Sequence, residues 1–517
     1  MQDILIALGI SLAGFALQVW PRLINRYFGI DTWRFTLLAQ YIRDNKKLPE
    51  SLPHKYIVPG SVDNPPLLPW LCSLLPKDWL DRNQGLVSPA FDILTSLTVY
   101  FMGLAASGQA AGGHYAQMAY LLTPVVPLEA SNLSLRTLGG LIFTWSMLMV
   151  QSYVLHPTWW TLLVGVAGVV LLSMTHRMAM QVFFFTLFWM SMVTGDVHHL
   201  LVFALGILAA VFLTKGLYLR YLRGHMLMIS FWMYNIHNRL AHQVRGNPTA
   251  ERKHTDFVRR IEYLIWKIPV APFLAVNPWI LYSFCAVFSV LPLAGVDPWM
   301  KAFVLWSVTL FFLGILFNLP LLRFLGEGQR YLEFGTSAAA AVAGTMILKF
   351  QHNPEVWGVV RSVPCILGLG CLALVLFFQL KLVVKNPDKS ITPALRALIA
   401  HLNSRPRPVR LACLPHGLAD AVTYFLENGQ VLLSDNSVGV WELVDWFPLI
   451  TKPLTEIAEK YQLNAFLVST NFVKPEELDL PGYEITFRQD NLILFEKAPG
   501  QSEEQSEEQA PEKVEEA

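Results

Sequence analysis

Two aspartates in one long loop are the first residues able to do chemistry. Asp31 stands in "YFGIDTWRF", about ten residues beyond the apolar run "ILIALGISLAGFALQVW". Asp63 opens "DNPPLLPW", where two prolines stiffen the backbone. Tyr27 and Phe28 fit a membrane interface, and Trp33 and Trp70 flank the acids. Two carboxylates on a loop that folds back at an interface could bind a divalent cation such as Mg or Mn. They could instead divide acid and base work. Two solvated loop acids are the plain alternative.

Cationic groups come next. "GEGQRYLEF" carries Arg330, whose planar guanidinium can donate two parallel bonds to phosphate oxygens. Glu327 and Glu333 are placed to hold it, or to form an ordinary loop salt bridge with it. "SMTHRMAMQ" sets His176 and Arg177 at the edge of an apolar run. Ionisable groups at membrane depth are costly and often functional, although at a helix end they can snorkel to the interface. "PLEASNLSLRTLGG" offers Glu129 and Arg136, readable as support, as a metal ligand, or as an interfacial pair. His198 and His199 of "TGDVHH" fall on the opposite side by span parity and read as loop residues.

The elements that must position these groups are hydrophobic. Of 517 residues 54% are apolar and 15% charged, where soluble domains carry about 25% charged. That deficit predicts an integral membrane protein. Runs near the span length predict about eleven helices, at roughly 3–21, 89–107, 114–128, 138–155, 158–175, 179–195, 197–217, 267–294, 299–321, 335–350 and 357–384. The N-terminus has no basic residue before its apolar run, so the first run reads as a retained span. A net charge of +1 gives no sign of a nucleic-acid partner. Five cysteines without C-x-x-C spacing read as packing residues.

The expected organisation is a membrane module over 1–385, with a long first loop at 22–88 and a basic loop at 218–266. The basic loop mixes apolar and basic residues like an interfacial amphipathic helix. A soluble α/β domain over 386–498 follows, with strand-length apolar runs alternating with helical ones. It lacks glycine-rich phosphate motifs and reads as accessory. Residues 499–517, "QSEEQSEEQAPEKVEEA" with its flank, read as a disordered acidic tail. Lys and Arg concentrate on the side of the long loops, which the positive-inside rule would put in the cytoplasm, although the rule weakens for loops this long.

"GIDTWRFTLLAQYIRDNKKLPE" followed by "YIVPGSVDNPPLLPWLCSLLP" resembles the first extracytosolic loop of the GT-C glycosyltransferases. That superfamily includes oligosaccharyltransferase catalytic subunits, protein O-mannosyltransferases and aminoarabinose transferases. The resemblance covers roughly 1–385. It implies a polytopic GT-C-like module, with Asp31 as the catalytic carboxylate and Asp63 in a catalytic, support or acceptor-binding role. It also implies that Arg330 and Tyr331 contact the phosphate of a lipid-linked sugar, with His176 and Arg177 as further phosphate-binding candidates. The second acidic motif of oligosaccharyltransferases is reduced here to Glu129, with no DxD, which leaves metal dependence open.

The implied activity is sugar transfer from a polyprenyl-phosphate donor to a glycan, lipid or protein acceptor. It would proceed with inversion at the extracytosolic face of the inner (cytoplasmic) membrane, in cell-envelope glycan biosynthesis. A transporter or flippase of lipid-linked sugars and a non-catalytic assembly subunit are the rival readings. An inverted repeat would favour the transporter, and the sequence shows no clear one.

Overall fold

The computed structural model describes residues 1–29, 31–239, 241–246, 271–289, 291–292, 295–353, 358–386 and 389–498. The chain divides into two compact units. The first comprises Met1–Leu48, Asp63–Ile236 and Arg252–Asn386. The second comprises Pro49–Val62, His237–Glu251 and Pro387–Ala517. The soluble unit expected over 386–498 thus gains two pieces of the long loops, and the acidic tail lies outside the described residues.

The first unit is helical. Its chain begins with α1 (Gln2–Ile24), α2 (Asp31–Asn45), α3 (Leu67–Ser73), α4 (Lys77–Asn83), α5 (Val87–Ser107), α6 (Ala110–Leu122) and α7 (Val125–Ala130). It continues through α8 (Leu135–Leu155), α9 (Trp159–Ser173), α10 (Arg177–Thr194), α11 (His198–Leu213) and α12 (Leu217–Tyr234). After α13 (Ala271–Val276) and α14 (Ile280–Ser289) come α15 (Pro298–Asn318), α16 (Gly328–Glu333), α17 (Thr336–His352) and α18 (Gly358–Gln379).

Local signals start several of these helices. The Thr158 and Thr161 side chains close a capping box on α9. Asp297 accepts from Trp299 N at 2.8 Å ahead of Pro298, the first residue of α15.

Among the described residues, six helices are long and apolar enough to cross a membrane, or seven if the α11–α12 pair counts as one broken span. The expected runs each carry helix, but several are interrupted. Run 114–128 breaks at Thr123–Pro124, because proline ends α6 and opens α7. Run 197–217 ends in a bend of 117° between α11 and α12. Run 267–294 lies partly outside the described residues and holds the short α13 and α14. The basic loop begins as α12, and its 247–270 portion lies outside the described residues.

Small residues let the centre close up. Ala338 to Ala343 of α17 are fully buried. A Cβ added at Gly344 would collide with backbone atoms of Gly112 and Ala116 on α6. Lipid chains are as apolar as leucine, so such close backbone approach, rather than hydrophobic exclusion, holds membrane helices together.

Helix reversals bring several loops to one end of this unit. Ser88 Oγ donates to Asn132 O at 2.6 Å, and Leu67 N donates to Met174 O at 3.1 Å. Gln181 Nε2 donates to Leu325 O at 2.5 Å. The ends of α1, α6, α9 and α15 and the starts of α5, α8, α10 and α17 therefore share one polar end.

The second unit is a six-stranded sheet in the order β1-β3-β2-β4-β6-β5. Its strands are β1 (Tyr56–Val58), β2 (Val409–Leu414), β3 (Gly429–Ser434), β4 (Ala465–Ser469), β5 (Tyr483–Gln489) and β6 (Leu492–Lys497). The first four in spatial order run parallel, β6 is antiparallel to β4, and β5 is antiparallel to β6. β1 comes from the first long loop. Its segment is tied down by Asp435, which accepts from Leu52 N and Gly60 N at 3.2 and 2.9 Å. Within the second piece, Arg245 pairs with Glu477 at 2.7 and 2.8 Å.

Candidate functional site

Asp31 is the first residue of α2 and is exposed. The turn before it is fixed from beneath by Arg22, a buried cation in the last turn of α1. Arg22 donates to the carbonyls of Phe28 at 2.8 Å, Ser131 at 2.7 Å and Arg26 at 2.8 Å. One guanidinium thus binds the loop carrying Asp31 to the loop carrying Glu129. Trp33, expected to flank the acid, is fully buried instead, whereas Trp70 is half exposed.

Glu129 and Arg136 meet across the turn from α7 to α8, at 2.5 Å. Glu333, at the end of α16, stands 3.7 Å from the same guanidinium nitrogen. The charges of Asp31 and Glu327 also act on Arg136. Glu129 and Glu333 therefore flank one arginine. Burial, and then the charge of Glu129, hold the Glu333 carboxyl above the usual carboxylate range, with Arg136 and Arg330 opposing.

Arg330 lies on α16, its Nε donating to Glu327 at 3.2 Å, and about a third of its side chain is exposed. Glu327 holds Arg330 as expected, while Glu333 leans on Arg136 instead. Tyr331 points the other way, into the core, fully buried against Phe317 at 4.6 Å. Its hydroxyl donates to Leu325 O at 3.2 Å and accepts from Gln181 Nε2 at 2.6 Å. Tyr331 thus anchors the short helix that presents Arg330.

Asp63 is buried and ion-paired to Arg177, which also donates to the Asp63 carbonyl. Gly224 of α12 faces this pair, and a Cβ there would collide with the Asp63 carboxylate. Only glycine lets α12 pass so closely. His176 caps α10, its Nδ1 accepting from Ala179 N at 3.1 Å. Burial first, and then the charges of Arg136, Arg330, His225 and Arg177, pull its pKa down to about 3. At neutral pH His176 is a neutral N–H donor rather than a cation.

Arg177 also borders a cavity of about 430 Å³ between α10, α11 and α12. Its polar lining includes Gln181 and His225, which bond each other at 2.9 Å. Phe184, Phe203, Ile207 and Met226 are among its apolar walls. The cavity is apolar along its length and polar at one end, where the edge of the Asp63-paired Arg177 stands with Gln181 and His225.

The anticipated residues therefore form two linked groups. Asp31, Glu129 and Arg136 join Glu333 in one. Asp63, Arg177 and His176 form the other, beside the cavity. The charges of Arg330, Arg136 and Arg177 all reach His176, which connects the two. His198 is near the far end of α10, with Asp196 at 2.6 Å. Among the described residues no three side chains converge as a metal site. Arg136 occupies the space between Glu129 and Glu333 that a cation would need. Arg22, His225 and Asp92 were missed by sequence reasoning. Arg22 and Asp92 are ionisable residues in apolar helices, which was a usable signal; His225 is one of several basic residues on α12.

No family model matches the chain, and no curated protein matches it in sequence. Solved structures do resemble it. An oligosaccharyltransferase of Archaeoglobus fulgidus superposes with a TM-score of 0.57 at 10% identity, covering 90% of this chain and 69% of that one. ArnT of Cupriavidus metallidurans, bound to undecaprenyl phosphate, gives 0.55 at 11% identity, covering 96% and 98%. AglB of A. fulgidus, with an inhibitory peptide and a dolichol-phosphate, gives 0.55 at 11%, covering 95% and 74%. At such identities the likeness establishes the fold. It is GT-C-like, in a multi-pass membrane protein, as the loop motifs implied.

Proposed function

We propose that this chain is a membrane glycosyltransferase that moves a sugar from a polyprenyl-phosphate donor to an acceptor hydroxyl or amide. The carrying observation is the meeting, at one end of the helical unit, of an exposed carboxylate, an arginine-rich cluster and an apolar cavity. The structural neighbours were solved with undecaprenyl phosphate and with dolichol-phosphate, which supports a donor of this class.

In this reading the prenyl chain lies in the 430 Å³ cavity. Its phosphate meets neutral His176 and the edge of Arg177, and Arg330 approaches from α16. Asp31 takes the proton of the attacking hydroxyl. The acceptor oxygen bonds to the anomeric carbon as the bond from that carbon to the phosphate oxygen breaks. The electron pair leaves with the phosphate, where arginine donors stabilise it. Attack opposite the leaving group inverts the anomeric centre. Asp63 acts by fixing Arg177 rather than by touching substrate. A divalent cation would need Glu129 and Glu333 to release Arg136. The polar end of the helical unit faces the extracytosolic side in this proposal.

Asp31→Asn tests the reading. In nanodiscs with undecaprenyl-phosphate sugars, the variant should bind donor normally and lose transfer. Retained transfer removes Asp31 from the chemistry. Donor movement across a bilayer without transfer would instead support a flippase.

A further inference from the structure

Gln181 is a polar side chain on the apolar helix α10, and the scheme above gives it no part. Both ends of its amide are engaged. Nε2 donates to Leu325 O at 2.5 Å and to the Tyr331 hydroxyl at 2.6 Å. Oε1 lies 2.9 Å from His225 Nε2. Leu325 O can only accept, so the amide nitrogen faces it and the amide carbonyl faces His225. A carbonyl also only accepts, so His225 Nε2 carries a proton and donates it. One amide in one orientation thus joins α10, α12 and the segment that enters α16.

These partners sit where the cavity ends and α16 begins. Gln181, His225 and Leu325 all line the 430 Å³ cavity. Leu325 closes a turn of 3-10 helix, Pro320–Leu325, and α16 starts three residues later at Gly328. α16 has only six residues, too few for its own hydrogen bonds to make it stable. Its direction is set by what its side chains hold. Tyr331 and Arg330 are neighbours on it, so pinning the Tyr331 hydroxyl to Gln181 fixes where Arg330 points. The charge of Arg330 acts on His176, which is next to the cavity residue Arg177.

We propose that Gln181 is a positioning residue that makes the cavity selective for a phosphate-bearing prenyl lipid, by holding Arg330 toward the phosphate through Tyr331. The inference rests on the donor reading above. Gln181 does not touch the phosphate in this scheme, because both of its amide hydrogens go to Leu325 and Tyr331. Its effect on binding passes through α16.

Binding in nanodiscs tests this without any transfer. The probes are undecaprenyl phosphate and undecaprenol, which share a chain and differ in the phosphate. Wild type should favour the phosphate form by about tenfold or more. Gln181→Leu should weaken undecaprenyl phosphate about tenfold, the worth of one hydrogen bond to a charged group, and hold undecaprenol as wild type does. Tyr331→Phe cuts the same link from the α16 side, while Gln181 keeps Leu325 O and His225. It should show the same selective loss, and it stands in if Gln181→Leu does not fold. Arg330→Ala should show the loss too. Adding either change to Arg330→Ala should cost nothing more, because both act on one contact. Equal weakening of both lipids marks Gln181 as a cavity wall and overturns the proposal. So does unchanged discrimination in the variants, or a loss that adds fully to that of Arg330→Ala. A wild type that binds the two lipids alike has a different meaning. The donor reading itself then fails, and the selectivity argued from it falls with it.

Discussion

Arg177 and Arg136 stand at the same end of the helical unit and are treated in opposite ways. Arg177 is closed onto Asp63, and the two side chains are only 13% and 7% exposed. Arg136 is shared between Glu129 and Glu333; it and Glu129 are more open, at 27% and 28%, while Glu333 is 15% exposed. A closed pair fixes geometry and resists change. A shared, half-open one can rearrange as charge develops beside it. In the proposed mechanism the contrast corresponds to architecture at Asp63–Arg177 and chemistry at the cluster around Arg136, although the two aspartates look alike in sequence.

The largest effect expected from that contrast is on Asp31. Asp31→Asn should lower turnover by about 10²–10⁴, the usual worth of a positioned base. Its melting temperature should match wild type, because an exposed carboxylate at a helix start supports little packing. A variant that melts early instead would move Asp31 to the structural side of the comparison.

Asp63→Ala should do the reverse. Removing one partner of a buried pair leaves a charge without compensation, which costs about 3–5 kcal/mol. The variant should melt well below wild type. Joining it with Arg177→Met should return much of the lost stability, since an apolar replacement of both partners is often neutral. Activity need not return with it, because Arg177 also borders the cavity. If Asp63→Ala melted like wild type but lost transfer, Asp63 would belong with the chemistry after all.

Gly224→Ala probes the same lock from the other side. The added methyl would push into the Asp63 carboxylate. Overpacking of this kind costs about 1–3 kcal/mol. Thermal melts should show a loss smaller than that of Asp63→Ala. The two changes should be non-additive, because they disturb one contact.

Much of this is legible in residue type and spacing. Apolar runs mark the helices, and "YFGIDTWRF" with "DNPPLLPW" points to the loop that matters. Glu129 and Arg136 pair from spacing alone. Burial is not legible. Trp33 and Tyr331 sit in ordinary loop strings, yet both are fully buried. Asp63 cannot be told from Asp31 in the sequence, because its partner is more than a hundred residues away, on α10. Spacing assigns Glu333 to Arg330, its neighbour in sequence, whereas helix packing gives it to Arg136. The strand from 56–58 is hidden because its hydrogen-bond partners lie on β3. Each miss is a long-range contact, which residue type and spacing do not encode.

A smaller effect should follow Arg330→Lys. The charge stays, but the fork that can hold two phosphate oxygens is lost. Donor KM should rise about tenfold, with turnover changed less. A change in turnover alone would place Arg330 in the transition state rather than in donor binding.

The smallest effect concerns pH and the Arg136 cluster. Burial, and then the charge of Glu129, raise the Glu333 pKa above its usual value of 4.5. The folded protein therefore holds a proton there that the unfolded chain has already released. Where the unfolded chain binds fewer protons, stability falls as pH rises. The fall should begin near pH 4.5 and continue until the folded carboxyl has ionised. Glu333→Gln keeps the shape and cannot ionise, so its melting temperature should be flatter over that window. It should exceed wild type at the alkaline end, where the wild-type carboxyl is charged beside Glu129. The same substitution leaves Asp63–Arg177 untouched, so a pH slope identical in both proteins would show that Glu333 ionises alike in the folded and unfolded chains.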